Sequence, residues 1–143
     1  MAALNLYLDS SVVVPLFLPD FFVSKASALL QRVEGQVIIS DFVAAEFSSV
    51  VGIRLRNKDL TPSAARLAFS RFDSWCALYA ESARTLASDI EDAKGFIRRL
   101  DLPLRTPDAI NLAIARRLGL ELATFDKQMA ASARRLGISI VKA

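Results

Sequence analysis

The stretch "LELATFDKQMAASARRLGISIV" (residues 120–141) has the pattern of a strand, a helix and a second strand in succession. "LELATF" (120–125) and "ISIV" (138–141) are short apolar runs typical of strands. Between them, "KQMAASARRLG" (127–137) has a helical pattern that stops at a glycine. Neighbouring parallel strands need a long crossover, which is usually a helix. This stretch therefore predicts a parallel sheet.

The rest of the chain repeats this alternation of strands and helices. Further strands are predicted at 4–8 ("LNLYL") and 36–40 ("QVIIS"), with a weaker one at 83–87 ("ARTLA"). Helices are predicted for a short segment within 11–18 and for 24–33, 40–56, 62–79, 89–100 and 108–119. The strands are continuous apolar runs, which is typical of a sheet covered by helices on both faces. We predict one α/β domain over residues 1–143.

Capping residues indicate where several of these helices begin. Ser40 is predicted to cap the helix over 40–56, and Thr61 stands before a proline at the start of 62–79. Ser88 with Glu91 matches a capping box for 89–100. Thr106 repeats the arrangement of a cap residue before proline.

The composition excludes several kinds of catalytic site. The 143 residues include one cysteine and no histidine. Serine–histidine and cysteine–histidine catalysis and histidine-bound or cysteine-rich zinc are therefore excluded. Carboxylates, hydroxyls, lysines and arginines remain, together with a metal bound through oxygen. The net charge of +3 is a mild basic excess that agrees with a nucleic-acid partner without demonstrating one.

No apolar run reaches the roughly 18 residues of a membrane span. The N-terminus also lacks the basic start of a signal peptide. We expect a cytoplasmic protein without a membrane segment.

Three aspartates fall where a parallel sheet places its ligand site. Asp9 and Asp126 each close a predicted strand, and Asp108 lies in the first turn of a helix. Ligands of open parallel sheets bind outside the carboxyl ends of the strands. Each aspartate also has a local explanation, because caps and helix dipoles favour the same positions.

Glu46 shares one helical stripe with the apolar residues Phe42, Val43, Val50 and Ile53. A glutamate on an apolar face is rarely buried unless it is paired or binds a metal. The alternative is a glutamate at the edge of the stripe that reaches solvent.

If the four acids converge, their mutual repulsion requires shared protons or a cation. Two carboxylates about 4 Å apart repel by roughly 4 kcal/mol at an effective dielectric constant of 20. Mg²⁺ or Mn²⁺ prefers oxygen ligands and keeps several waters, one of which is a suitable nucleophile for phosphodiester hydrolysis. Such a site needs no histidine.

Three segments carry a resemblance to a known family. "YLDSSVVV" (7–14), "FVAAEF" (42–47) and "LRTPDAINLAIARRLGLELATFDKQMAASARRLG" (104–137) resemble the motifs of PIN-domain ribonucleases, specifically VapC-type toxins of bacterial toxin–antitoxin pairs. The resemblance implies a Rossmann-like, three-layer α/β/α fold and a Mg²⁺- or Mn²⁺-dependent endoribonuclease. It makes Asp9, Glu46, Asp108 and Asp126 the catalytic, metal-binding acids. Asp9 and Asp108 are then direct ligands, and Glu46 and Asp126 act through water or on a second metal.

Two hydroxyl residues also match positions of the family motifs. The resemblance implies that Ser10 and Thr124 orient the acids or the substrate, although a local backbone hydrogen bond explains either one equally well. It further implies a homodimer, an RNA substrate and a cognate antitoxin that blocks the acidic pocket.

Two other charged groups leave alternatives open. The first group is basic, and its side chains either bind RNA phosphates or lie at solvated helix ends. It comprises Arg54, Arg56, Lys58, Arg98, Arg99 and Arg105. Asp89, Glu91 and Asp92 are interpreted as a helix first turn favoured by the dipole.

Two other functions compete with the nuclease. One is a catalytically silent interaction module on the same fold. The other is a phosphoryl-accepting signalling domain. Such a domain requires adjacent acids after the first strand, but here Asp9 is followed by Ser10 and Ser11.

Overall fold

The computed structural model describes residues 5–141, so Leu4 of the predicted strand 4–8 lies outside the described residues. Four strands occupy this range: β1 (Leu6–Leu8), β2 (Val37–Ser40), β3 (Ala80–Ala83) and β4 (Glu121–Ala123). The helices of the same range are α1 (Ser10–Phe17), α2 (Val23–Arg32), α3 (Asp41–Arg56), α4 (Pro62–Tyr79), α5 (Ala87–Arg98), α6 (Thr106–Leu118) and α7 (Lys127–Arg135).

The four strands form one parallel sheet in the order β3-β2-β1-β4. Leu6 of β1 is in register with Val37 of β2 on one side and Glu121 of β4 on the other. Because the strands run in the same direction, their carboxyl ends lie along one edge of the sheet. The predicted parallel sheet with helices on both faces is confirmed.

The third strand was predicted at 83–87, and that position is wrong. The strand occupies Ala80–Ala83 and pairs with all four residues of β2. It is an edge strand whose middle residues Glu81 and Ser82 are exposed, so it has no apolar run to reveal it. Thr85 instead binds the Asp41 carboxylate through its backbone N–H and its hydroxyl, at 2.9 and 2.6 Å.

Two of the predicted helix caps are confirmed. The side-chain oxygens of Ser40 and Thr61 accept hydrogen bonds from the backbone N–H three residues later, at 3.0 and 3.1 Å. Thr106 is not a cap, because it is already the first helical residue of α6 and Arg105 occupies the cap position.

The capping box predicted for Ser88 and Glu91 is also wrong. The helix α5 begins at Ala87, so Ser88 lies inside it. The Asp89 carboxylate closes the helix start by accepting a hydrogen bond from the Leu86 backbone N–H at 2.8 Å.

The helices pack in groups around the sheet. The helix α1 contacts α2, α3 and α4, and α5 lies along α6. In the first group the Phe17 ring meets Phe47, Phe72 and Trp75 edge to face, at centroid distances of 5.7, 5.6 and 5.7 Å. These aromatic contacts hold the end of α1 against α3 and α4.

The predicted last strand at 138–141 forms only a single bridge. Ile140 pairs in parallel with Leu122 of β4, whose N–H and C=O bond to Ser139 and Val141 at 2.8 and 3.0 Å. The segment therefore covers the outer edge of β4. Between residues 5 and 141, no helix combines the length and the apolar character needed to cross a membrane.

Candidate active site

Asp9 lies at the carboxyl end of β1 and is only 3% exposed. Its Oδ1 accepts hydrogen bonds from the Ser11 backbone N–H and hydroxyl, at 3.1 and 2.6 Å. Its Oδ2 accepts one from the Thr124 hydroxyl at 2.6 Å. Asp9 also caps α1. It is therefore both a helix cap and a buried acid fixed at both oxygens.

The environment of Asp9 disfavours its charge. Burial raises the pKa of the Asp9 carboxyl to about 6, against the lowering effect of hydrogen bonds from Ser11 and Thr124. The nearby Glu46 carboxylate raises the pKa of Asp9 further. A bound cation would relieve this penalty.

Thr124 connects the two acids that follow β1 and β4. Its hydroxyl donates to Asp9 and accepts a hydrogen bond from the Asp126 backbone N–H at 3.1 Å. The Asp126 Oδ1 accepts from the Met129 N–H at 3.0 Å and so caps α7. Both readings offered for Thr124, an acid-orienting hydroxyl and a local backbone bond, are present together.

Ser11 has a role that was not predicted from the sequence. Besides donating to Asp9, its hydroxyl accepts a hydrogen bond from the Phe125 backbone N–H at 2.9 Å. It thereby ties the ends of β1 and β4 together. The serine pair after Asp9 was the available signal, but the sequence alone does not show which of the two faces β4.

Glu46 lies on α3, beside rather than on its buried face. That face consists of Val43, Phe47 and Val51, whereas Ile53 of the predicted stripe is 45% exposed. The predicted stripe was thus rotated slightly: Glu46 lies at the edge of the buried face, and it is also paired, with the Asn111 amide. Glu46 is half-buried and faces an open cavity.

A buried chain of hydrogen bonds leads from the sheet to Glu46. The Tyr7 hydroxyl of β1 donates to Asn111 Oδ1 at 2.6 Å and lies 2.8 Å from the Ser40 hydroxyl. The Asn111 amide donates to Glu46 Oε1 at 2.7 Å. Tyr7 and Asn111 are 0% and 2% exposed, so this chain fixes one Glu46 oxygen rigidly. Asn111 was missed, because an asparagine inside a helix carries no sequence signal of its own.

The pKa of Glu46 is raised, mainly by burial and further by the Asp108 carboxylate. Hydrogen bonds from Asn111 and Ser10 and the charge of Arg105 act in the opposite direction. Ser10, predicted to orient acids or substrate, therefore acts on Glu46.

Asp108 occupies the first turn of α6, where the helix dipole favours a carboxylate. Its Oδ2 lies 3.6 Å from Arg105 Nε, and its side chain is 19% exposed. The Arg105 side chain is 83% exposed, so this ion pair is a weak contact that a ligand is able to displace.

All four predicted acids line one open cavity of about 600 Å³. Asp9 comes from β1, Glu46 from α3, Asp108 from α6 and Asp126 from the end of β4. The cavity is also lined by Ser10, Ser11, Val14, Asp20, Phe21, Phe22, Val50, Arg54, Arg105 and Pro107. The fold thus brings together acids that are far apart in the sequence.

Residues 6–135 match the family model of the PIN domain. The chain belongs to the PIN-domain family. No curated protein sequence gave a significant match.

Solved structures similar to this PIN domain include toxins and toxin–antitoxin complexes. VapC20 of Mycobacterium tuberculosis, a sarcin-ricin loop cleaving toxin, is 20% identical with a TM-score of 0.75, over 96% of this chain and 99% of that one. FitAcB of Neisseria gonorrhoeae is 16% identical with a TM-score of 0.71, over 96% of each chain. VapBC2 of Rickettsia felis, bound to promoter DNA, is 16% identical with a TM-score of 0.65, over 90% of this chain and 92% of that one. At these identities the likeness is one of fold.

The acids of this PIN domain do not form a closed metal cage. Among residues 5–141, no three acidic, cysteine or histidine side chains are already grouped closely enough to hold an ion. Mg²⁺ typically uses one or two carboxylates and retains several waters. The oxygen-only donors, the open cavity and the raised pKa of Asp9 fit such a partly hydrated ion.

The predicted basic group is divided by the fold. Arg54 and Arg105 line the acid cavity, but each is paired with a carboxylate, Asp20 at 3.2 Å and Asp108 at 3.6 Å. Arg99 pairs with Asp101 at 2.9 Å outside the cavity.

Asp89 has a structural role that exceeds a dipole contact. It is fully buried, and its Oδ1 accepts from Arg117 Nε at 2.8 Å and its Oδ2 from Arg117 Nη2 at 3.0 Å. This pair joins the start of α5 to the end of α6, away from the acid cavity.

Proposed function

We propose that this PIN domain is a Mg²⁺- or Mn²⁺-dependent endoribonuclease and the toxin of a toxin–antitoxin pair. The observation that carries the proposal is the convergence of four acids from four different elements on one open cavity. The family match supports a nuclease, and the likeness to VapC20 supports RNA as the substrate.

The acids differ in how firmly the fold holds them. Asp9 is fixed by two hydroxyls, and Glu46 is fixed by Asn111. Asp108 is paired with an exposed arginine, Arg105. We assign Asp9 and Asp108 as the direct ligands of the ion, with Glu46 and Asp126 acting through water or on a second ion.

In this proposal, separate residues of the chain orient the acids and contact the RNA. A bound divalent ion supplies charge stabilisation for the phosphodiester oxygens. Ser11 and Thr124 hold the Asp9 carboxylate in one orientation. Asn111 and Ser10 hold the Glu46 carboxylate, which would orient a water or accept its proton. Arg105 stands at the entrance, where it is able to contact an RNA phosphate.

The proposed partner is a cognate antitoxin. Structural relatives include a toxin–antitoxin complex from Klebsiella pneumoniae and FitAB bound to a DNA fragment. A cationic side chain of the antitoxin would complement the acid cavity and compete with the metal. We also propose a homodimer, as the family resemblance implies.

The test is cleavage of single-stranded RNA by the purified chain, freed of any antitoxin. We expect cleavage with Mg²⁺ or Mn²⁺, none in excess EDTA, and little from the Asp9→Asn variant. Asp73→Asn, which removes an exposed charge from α4, is the matched control and should cleave like the parent. Full activity in EDTA would refute the metal requirement. A parent that cleaves no RNA would favour the silent interaction module.

A further inference from the structure

A second groove adjoins the acid cavity between the start of α2 and the helix α7. Its volume is about 240 Å³, and Phe22 and Asp126 line both spaces. We propose that this groove, called the α2–α7 groove below, binds the single strand of RNA beside the nucleotide at the acid cavity. The proposal rests on the ribonuclease function proposed above.

The basic side chains of the groove have no carboxylate partner. Lys25, Lys127 and Arg134 line it and are exposed. Over residues 5–141, none of the three forms an ion pair. Arg54 and Arg105 in the acid cavity, by contrast, are both paired. The groove therefore offers positive charge that is free to meet phosphates.

Lys127 occupies a position that the helix itself disfavours. It is the first residue of α7, where the helix dipole is positive and an acid rather than a cation is stabilising. Arg134 lies in the last turn of the same helix, where the dipole favours it. Local structure thus explains Arg134 but not Lys127. The helix start itself is capped by the Asp126 carboxylate, so a phosphate beside it would be held by the Lys127 ammonium.

Aromatic rings form the junction between the two spaces. The Phe22 and Phe125 rings stack with a centroid distance of 4.9 Å and an interplanar angle of 23°. Phe21 packs edge to face on Phe22 at 5.1 Å and is itself 92% exposed. Lys25 Nζ lies 5.8 Å from the Phe22 ring centre. An exposed ring beside unpaired cations matches the way single strands are bound, by stacking on bases and charge on phosphates.

The charge of the groove favours a phosphodiester chain over an apolar protein segment. Three cations line the groove against one acid, Asp126, which the groove shares with the adjoining cavity, so a phosphodiester chain meets net positive charge on one side and the proposed ion site on the other. The direct contacts to the backbone carry no base specificity. The bound strand is therefore recognised as a single strand rather than by its sequence.

The test is the salt dependence of RNA binding, measured by fluorescence anisotropy with a labelled oligouridylate in Mg²⁺. All proteins carry Asp9→Asn so that the RNA stays intact. Each phosphate contact contributes about 0.7 to the slope of log affinity against log salt for single strands. Lys127→Ala with Arg134→Ala should therefore reduce the slope by about 1.4.

The matched control is Arg66→Ala with Arg71→Ala, which removes two exposed charges from α4 outside both spaces. It should leave the slope unchanged. Phe21→Ala should weaken binding roughly fivefold or more without changing the slope, because it removes stacking and not charge. Because Phe21 is 92% exposed, its replacement should leave the folded state intact, and thermal unfolding of each variant checks this.

Equal slopes in the two double variants would overturn the α2–α7 groove as an RNA site, while metal-dependent cleavage by the parent would leave the proposed function standing. A parent that neither binds nor cleaves RNA would overturn both. Unchanged RNA binding, together with loss of antitoxin co-purification in the Lys127 and Arg134 variant, would overturn the RNA site and assign the groove to the protein partner.

Discussion

Replacing Asp9 by asparagine removes a charge that the fold buries almost completely. The side chain keeps its shape and its place beside the Ser11 and Thr124 hydroxyls, so the main change is electrostatic. Without metal, the parent carries a cost for holding this carboxylate ionised. The variant does not carry it. We therefore expect Asp9→Asn to be more stable than the parent in EDTA at neutral pH.

The size of this effect follows from the pKa of Asp9. Burial raises that pKa to about 6, from an ordinary value of 3.8. At about 1.4 kcal/mol per pH unit, the ionised carboxylate costs roughly 3 kcal/mol of folding free energy above pH 6. For a chain of this length that corresponds to a difference in Tm of roughly 6–12 °C.

The sign of the pH dependence is fixed by the same pKa. The folded state binds the proton more tightly than the unfolded chain, so the parent loses stability as pH rises from about 4 to 6. Acidification from pH 7 to pH 5 should therefore stabilise the parent by roughly 1.3 kcal/mol relative to Asp9→Asn, because about half of the cost is then relieved.

Urea unfolding of both proteins in EDTA, at several pH values between 4 and 7.5, measures this difference. Asp73→Asn controls for general loss of an acid, since Asp73 is exposed on α4. A stability difference between parent and Asp9→Asn that does not vary with pH would show that burial does not raise the pKa of Asp9. A variant less stable than the parent throughout would show instead that the hydrogen bonds to Asp9 outweigh its desolvation.

The remaining predictions concern residues around the acids. Asn111→Leu removes the hydrogen-bond donor that lowers the pKa of Glu46, so the acidic limb of the pH–rate profile should move to higher pH and kcat should fall. The free energy of unfolding should decrease by about 1–3 kcal/mol. Asp89→Ala leaves Arg117 unpaired and the Leu86 N–H unbonded, so urea unfolding should show a loss of about 2–4 kcal/mol with cleavage retained below the Tm. Thr61→Ala should cost about 1 kcal/mol by the same measurement and leave cleavage unchanged.

Much of the fold was predictable because its strongest signals are local. The buried strands β1, β2 and β4 are apolar runs, and the caps Ser40 and Thr61 are recognisable residue types at helix starts. The edge strand β3 was misplaced because its middle residues, Glu81 and Ser82, are polar and exposed and leave no apolar run. The start of α5 was misplaced because Ser88 and Glu91 match a capping box in the sequence. In the structure the buried Asp89 carboxylate accepts the hydrogen bond at the helix start instead.

Asp9, Asp108 and Asp126 could be proposed as site residues from their places at strand ends and in a helix first turn. Glu46 was proposed from its place on a partly apolar helix face and from the family resemblance. The side chains that orient them were less accessible. Asn111 contacts Glu46 from 65 positions away, and the contact by which Ser11 ties β4 to β1 is with Phe125, 114 positions away. No periodicity or local motif reports such contacts.

We propose that the four acids around one cavity form the metal centre for RNA cleavage. Calorimetric titration of Mn²⁺ into the parent and into Asp9→Asn, Glu46→Gln, Asp108→Asn and Asp126→Asn measures their part in metal binding, with Asp73→Asn as the control. We predict binding to the parent and the control with equal affinity, at least a tenfold loss in Asp9→Asn and Asp108→Asn, and smaller losses in the other two. Equal Mn²⁺ affinity in the parent and Asp9→Asn, or no binding to the parent, would contradict the claim.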